Sequence, residues 1–318
     1  ELEEAAYGDR TLAVVLAKVE GLVLESDEVP LGDGVALVRA ETLRDVPDEL
    51  RDDEMGTVAM LALDSAPGDG RALEDAGRRL RRLQTALRLW DDAEPSLGPT
   101  AWARTDGGAW SAVPLATGIR RDTGDCLLGA EDEDPLRAFC SLVARRTPRA
   151  GELAWALRRF ELGCERGRRL EALSDFLLAA RALLEPEGPQ SGRLAGRLAA
   201  ICAVPTVRPA LAERVAHAIS LERAVITGVD PAVPEPGALV DELAHHLRAL
   251  LRDVVCGHLD DDLVTVADAL LEPEAEAEAE LPEPEPEAEL PEPEPEVELP
   301  EPDVEPAEEP ATSQLALS

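Results

Sequence analysis

Between residues 136 and 271 apolar side chains return at every third or fourth position, and a chain patterned in this way can bury them only as helices packed on one another. The pattern is clearest at 151–184. Leu153, Leu157, Phe160 and Cys164 line one side of a first helix, and Leu170, Leu173, Leu177, Ala180 and Leu184 line one side of a second. With Gly163 and Gly167 as backbone breaks, the spacing predicts an antiparallel helical hairpin. Asp175 falls near the buried side of the second helix and needs a partner if it is desolvated. Downstream, Ser191 is placed to cap a short helix through Leu194, Leu198 and Ile201 that Pro205 ends. Leu211, Val215 and Ile219 mark the next helix, closed by Gly228. The longest runs from Leu239 through Leu247 and Val254 to Gly257, and a last one uses Leu259, Leu263, Val266 and Leu270.

The first 130 residues carry a different signal. β-Branched runs at 12–24, 35–38 and 58–63 read as strands, separated by Asp, Gly and Pro clusters at 30–34 and 64–70. A helix over 71–90 follows, with Leu73, Ala76, Leu80, Leu83, Leu87 and Trp90 at alternating three and four spacing. Its solvent side is expected to carry Arg71, Arg78, Arg79, Arg81, Arg82 and Arg88. Asp106-Gly107-Gly108 then supplies the turn of a hairpin over 101–116. Glu131 to Pro135 is an acidic stretch suited to a domain boundary or a helix start. These readings give an α+β N-terminal domain over 1–130, an all-α bundle over 136–271 and a tail over 272–318.

The tail is a nine-residue Glu/Pro repeat that begins at Leu281, recurs at Leu290 and decays from Leu299. Its 18 acidic and no basic side chains repel one another, and its 11 prolines oppose helix and sheet, so an extended, disordered segment is expected. The chain as a whole carries −35, which disfavours non-specific attraction to duplex DNA. No run of about 18 apolar residues is present, which argues against a membrane span. Five scattered cysteines without a Cys-x-x-Cys pair fit reduced thiols, and a cytoplasmic chain is expected.

Chemistry-bearing residues are sparse. Arg158, Arg159, Arg166, Arg168 and Arg169 cluster at the hairpin turn and form a candidate anion site. His245, His246, Cys256 and His258 lack the spacing of a zinc site, so neither a metal nor a cofactor is expected. Arg252 and His258 flank the end of the longest helix, with Gly257 releasing the backbone between them. If both reached one cleft, the imidazole could move a proton at a ribose hydroxyl while the guanidinium stabilised the phosphorane.

The Arg-Arg-Phe-Glu-Leu-Gly-Cys-Glu-Arg element at 158–166, followed by Leu173-Ser174-Asp175 in an apolar helix, resembles the central hairpin of Apea-like HEPN domains. The resemblance spans residues 136–271. It implies a helical bundle, often a homodimer and, in many members, a metal-independent RNase of toxin and defence systems, marked by an Arg and a His with four to six residues between them. The segment matching that motif here is Glu222-Arg223-Ala-Val-Ile-Thr227-Gly228, with Thr227 where the histidine would stand. By that resemblance the chain is a non-catalytic module that binds RNA, a nucleotide or a protein partner. Two alternatives remain: an endoribonuclease using Arg252 and His258, and an adaptor acting through its acidic tail.

Overall fold

Strict alternation along β1 (Thr11–Glu20) builds the centre of the fold: Ala13, Val15, Ala17 and Val19 point to one face and Leu16 to the other. The computed structural model describes residues 11–51, 56–65, 71–115, 117–228 and 235–279. β1 pairs antiparallel on both edges, with β5 (Thr57–Ser65) and β6 (Ser96–Thr105). The sheet is completed by β3 (Glu28–Gly32), β4 (Val35–Arg39) and β7 (Ser111–Pro114), in the order β3-β4-β5-β1-β6-β7. Asp106 and Gly107 take φ values of 52° and 68° in the β6–β7 turn, which the Gly108 amide closes on the Thr105 carbonyl at 2.9 Å.

Three details depart from the sequence reading. The run at 12–24 is cut at Gly21, whose φ of 75° turns the chain so that β2 (Leu22–Leu24) leaves the sheet and pairs in parallel with β8 (Cys126–Leu128). β3 lies where a Pro/Gly separator was expected, because Pro30 sits on an edge strand that tolerates a missing amide while Val29 and Leu31 are buried. Ser191 does not cap the helix that follows it. It lies in a short 3₁₀ turn, its hydroxyl donating to Glu185 at 2.7 Å.

One face of the sheet is covered by α1 (Arg71–Trp90), whose Ala76, Leu80, Leu83 and Leu87 pack with Val15, Ala17, Leu61 and Leu97. The opposite face is closed by the 3₁₀ turns at Ala40–Thr42 and Asp48–Leu50, where Val46 and Leu50 cluster with Leu16 and Val58. Helices follow: α2 (Glu133–Arg146), α3 (Glu152–Cys164), α4 (Arg169–Leu184), α5 (Leu194–Cys202), α6 (Arg208–Thr227), α7 (Pro236–Cys256) and α8 (Leu263–Ala279). α8 runs past Leu271 because the Glu/Ala stretch that follows Pro273 favours helix. Among the described residues no helix is long and apolar enough to cross a membrane. The repeats from 281 onward, where a disordered tail was expected, lie outside the described residues.

The sheet and the helices share their interior. Ala86 and Leu89 of α1 join Phe160, Phe176, Leu177, Leu247 and Leu251 in the core of the helical layer, and Leu136 of α2 joins the core under the sheet. Gly163 is no breaker. It lies buried inside α3 and lets that helix close on α4, where Phe160 and Phe176 meet with ring centroids 5.7 Å apart. A Cβ there would run into the Phe176 ring. Gly163→Ala should therefore destabilise the fold by about 1–3 kcal/mol through overpacking, read as a lower midpoint in urea unfolding at unchanged slope.

Candidate functional site

A cavity of about 530 Å3 opens between the sheet, α1 and α3. Its floor is apolar: Val15, Leu97, Ala101 and Val113 come from strands, Leu80 from α1, and Leu115 follows β7. Gln84, Thr85, Arg158, Glu161 and Glu165 bring polar atoms to the same space. Gln84 and Thr85 follow Leu83 on α1, and Glu161 and Glu165 lie one helical turn apart at the end of α3.

The polar groups are partly paired. The Thr85 hydroxyl hydrogen-bonds Glu161, Gln84 Oε1 accepts the Leu97 amide at 2.6 Å, and Arg158 Nη1 stands 3.7 Å from Glu161. Gln84 Nε2 is buried with no partner among the described residues. Burial pushes the Glu161 carboxyl above its ordinary value, with Glu165 adding to the shift against the pull of Thr85 and Arg158. Burial raises Glu165 as well. Two carboxyls raised by burial, a hydroxyl and the Arg158 guanidinium can hold a polar head, while the floor takes a hydrocarbon or aromatic body.

Each hairpin arginine stands within 4.0 Å of a carboxylate of the chain itself. Arg159 Nη1 and Arg166 Nε donate to the two oxygens of Asp175 at 3.1 and 2.9 Å, giving that buried carboxylate the partner its position demands. Arg168 stands 4.0 Å from Glu171, and Arg169 pairs with Asp241 at 2.7 Å. Arg223 and Thr227 are exposed on α6, and the Thr227 hydroxyl donates back to the Arg223 carbonyl at 2.9 Å.

Arg252 and His258 stand in different surroundings. Arg252 lines a small cleft with Trp90, Asp92 and His245. His258 is exposed beyond Gly257, whose φ of 77° ends α7; its amide bonds the Asp253 carbonyl at 2.8 Å and its Nδ1 lies 3.6 Å from the Asp253 carboxylate. His245 accompanies Asp92 at 2.7 Å and His246 stands 3.8 Å from Glu242; no group of three metal-ligating side chains occurs among the described residues. Burial pushes the thiols of Cys140, Cys164 and Cys202 up to about 12, far from thiolate chemistry.

Arg88 is not on the solvent side of α1. It is fully buried beside Glu94, together with Arg121 and Arg248. Arg121 and Arg248 stand 27 and 154 positions from Glu94, so no local pattern announces the cluster. The lone hint was the turn after Trp90, where charged residues follow an apolar helix end.

No protein-family model, curated protein or solved structure matches the chain.

Because Glu161 holds its proton more tightly folded than unfolded, stability falls as pH rises from 4.5 through its raised folded value. Glu161→Gln removes that loss. Relative to the parent, the variant should melt higher at neutral pH, the advantage shrinking on acidification toward 4.5 in thermal melts.

Proposed function

We propose that this chain is a non-catalytic binding module that seats an amphipathic small molecule in the cavity between the sheet, α1 and α3. In this reading residues 136–271 form a bundle similar to the non-catalytic Apea-like HEPN domains. The observation that carries it is the convergence of Gln84, Thr85, Glu161 and Glu165 on a space whose floor is apolar. An apolar cavity with a few converging polar groups and shifted carboxyls is the common form of a ligand site.

Binding is favoured over cleavage by the surroundings of the arginine and histidine side chains. Arg159 and Arg166 already hold Asp175, which leaves them little for an RNA backbone. His258 pairs with Asp253 rather than with Arg252. Thr227 offers a hydroxyl, which cannot serve as a base near neutral pH.

Gly77 lines the cavity, and a Cβ added there meets nothing within 4 Å, so a larger side chain can fill the space without disturbing the backbone. The neutral probe N-phenyl-1-naphthylamine should brighten on binding the parent chain and bind at least about tenfold more weakly to Gly77→Phe. Equal brightening in both proteins would place the probe elsewhere and sink the cavity reading. On the catalytic alternative, the full chain should leave single-stranded RNA intact in EDTA. Cleavage lost in His258→Ala would reinstate the nuclease.

A further inference from the structure

The charged lining of the cavity between the sheet, α1 and α3 is balanced: Arg78, Arg81 and Arg158 stand against Glu74, Glu161 and Glu165. Net charge therefore favours neither a lone cation nor a lone anion there. Arg78 pairs with Asp75 at 3.1 Å, and Glu74 is exposed in the first turn of α1. The other four do not close on one another. The Thr85 hydroxyl donates to Glu161 Oε1, while Oε2 faces Arg158 Nη1 at 3.7 Å, beyond hydrogen-bond reach. Both groups keep access to the cavity, with the Glu161 side chain 16% and the Arg158 side chain 57% exposed. Glu165 lies one turn beyond Glu161 on α3. Arg81, one turn before Thr85 on α1, is exposed and has no ion pair among the described residues.

A zwitterion meets both signs at once. In an α-amino acid the ammonium nitrogen and the carboxylate oxygens lie about 3 Å apart by ordinary bond lengths. That is close to the 3.7 Å between Glu161 and Arg158, so one head can lie across the pair, its ammonium toward Glu161 and Glu165 and its carboxylate toward Arg158 and Arg81. Each new contact is then charge-assisted. Burial raises both carboxyls, and an ammonium beside them supplies the opposite charge that favours their ionised form. The carbons turn the other way. Leu80, Leu97, Val113 and Leu115 make an apolar floor for a side chain, and a volume of about 530 Å3 has room for an aromatic one.

We propose that the cavity binds a free apolar α-amino acid, its zwitterionic head set across Glu161 and Arg158 and its side chain on the apolar floor. This rests on the reading of the cavity as a ligand site and names the class of ligand it takes. An amine or an acid with the same body satisfies only one of the two groups and desolvates the other without a partner.

The test is displacement of N-phenyl-1-naphthylamine from the full chain at neutral pH by L-phenylalanine, phenethylamine and 3-phenylpropanoate, which share a phenyl body and differ in charge. L-Phenylalanine should displace the dye at a concentration at least about tenfold below either analogue. Glu161→Gln, expected to melt above the parent at this pH, should weaken L-phenylalanine by about tenfold without weakening 3-phenylpropanoate. Arg158→Gln changes an exposed side chain and should weaken L-phenylalanine by a similar factor without weakening phenethylamine. Dye that binds the parent but is not displaced by L-phenylalanine, is displaced equally by all three compounds, or is displaced by L-phenylalanine as well in both variants overturns the zwitterion and leaves the cavity reading standing. Dye that fails to bind the parent, or binds Gly77→Phe equally, removes both.

Discussion

Glu94 is the joint of the molecule. It sits in the turn after α1 with a left-handed φ of 51°, a conformation that costs a non-glycine residue about 1–2 kcal/mol, and it is almost wholly buried. Its position persists because two charge-assisted hydrogen bonds reach one oxygen, from Arg121 in the loop after β7 and from Arg248 on α7. The Asp91 side chain braces the same turn by accepting the Ala93 amide at 2.8 Å. A buried ionic group of this kind gives little net stability by itself. Its effect is to fix which element lies against which, since a cluster broken at one member leaves the others charged and dry.

From that joint the rest of the architecture follows. Arg248 bonds both Glu94 and the Arg88 carbonyl, so α7 is tied to the end of the helix that covers the sheet. Thr85, one turn earlier on α1, reaches Glu161 of α3. These ties hold α1 against α3 and α7 while its leucines hold it against the strands, and the cavity is the space left where sheet and hairpin diverge. A second buried arginine works alike in the helical layer: Arg197 of α5 forks onto Asp268 of α8 and Glu187, with all four contacts at 2.8–2.9 Å.

Elements with a long period were legible in the sequence, and groups joined over long range were not. The helices over 71–90, 152–164, 169–184 and 236–256 follow from apolar spacing, because each repeats its signal through several turns. β8 has three residues and gains its place only by pairing with a strand a hundred positions earlier. Arg88 was read as solvent-facing because α1 was assigned a single buried side, whereas its last two turns are enclosed by the helical layer as well. Asp175 was the exception among polar residues: its place between Leu173 and Leu177 announced a buried charge in need of a partner, though not that Arg159 and Arg166 supply it. Glu161 and Glu165 gave no such warning, since a helix with one apolar stripe leaves open what packs beside the stripe.

α1 carries leucines in two directions, Leu80, Leu83 and Leu87 toward the strands and Leu89 toward the bundle. Neither layer can melt without baring a greasy flank of the other, so the two should lose structure in a single cooperative step, with amides in β1 and α4 exchanging through the same global opening.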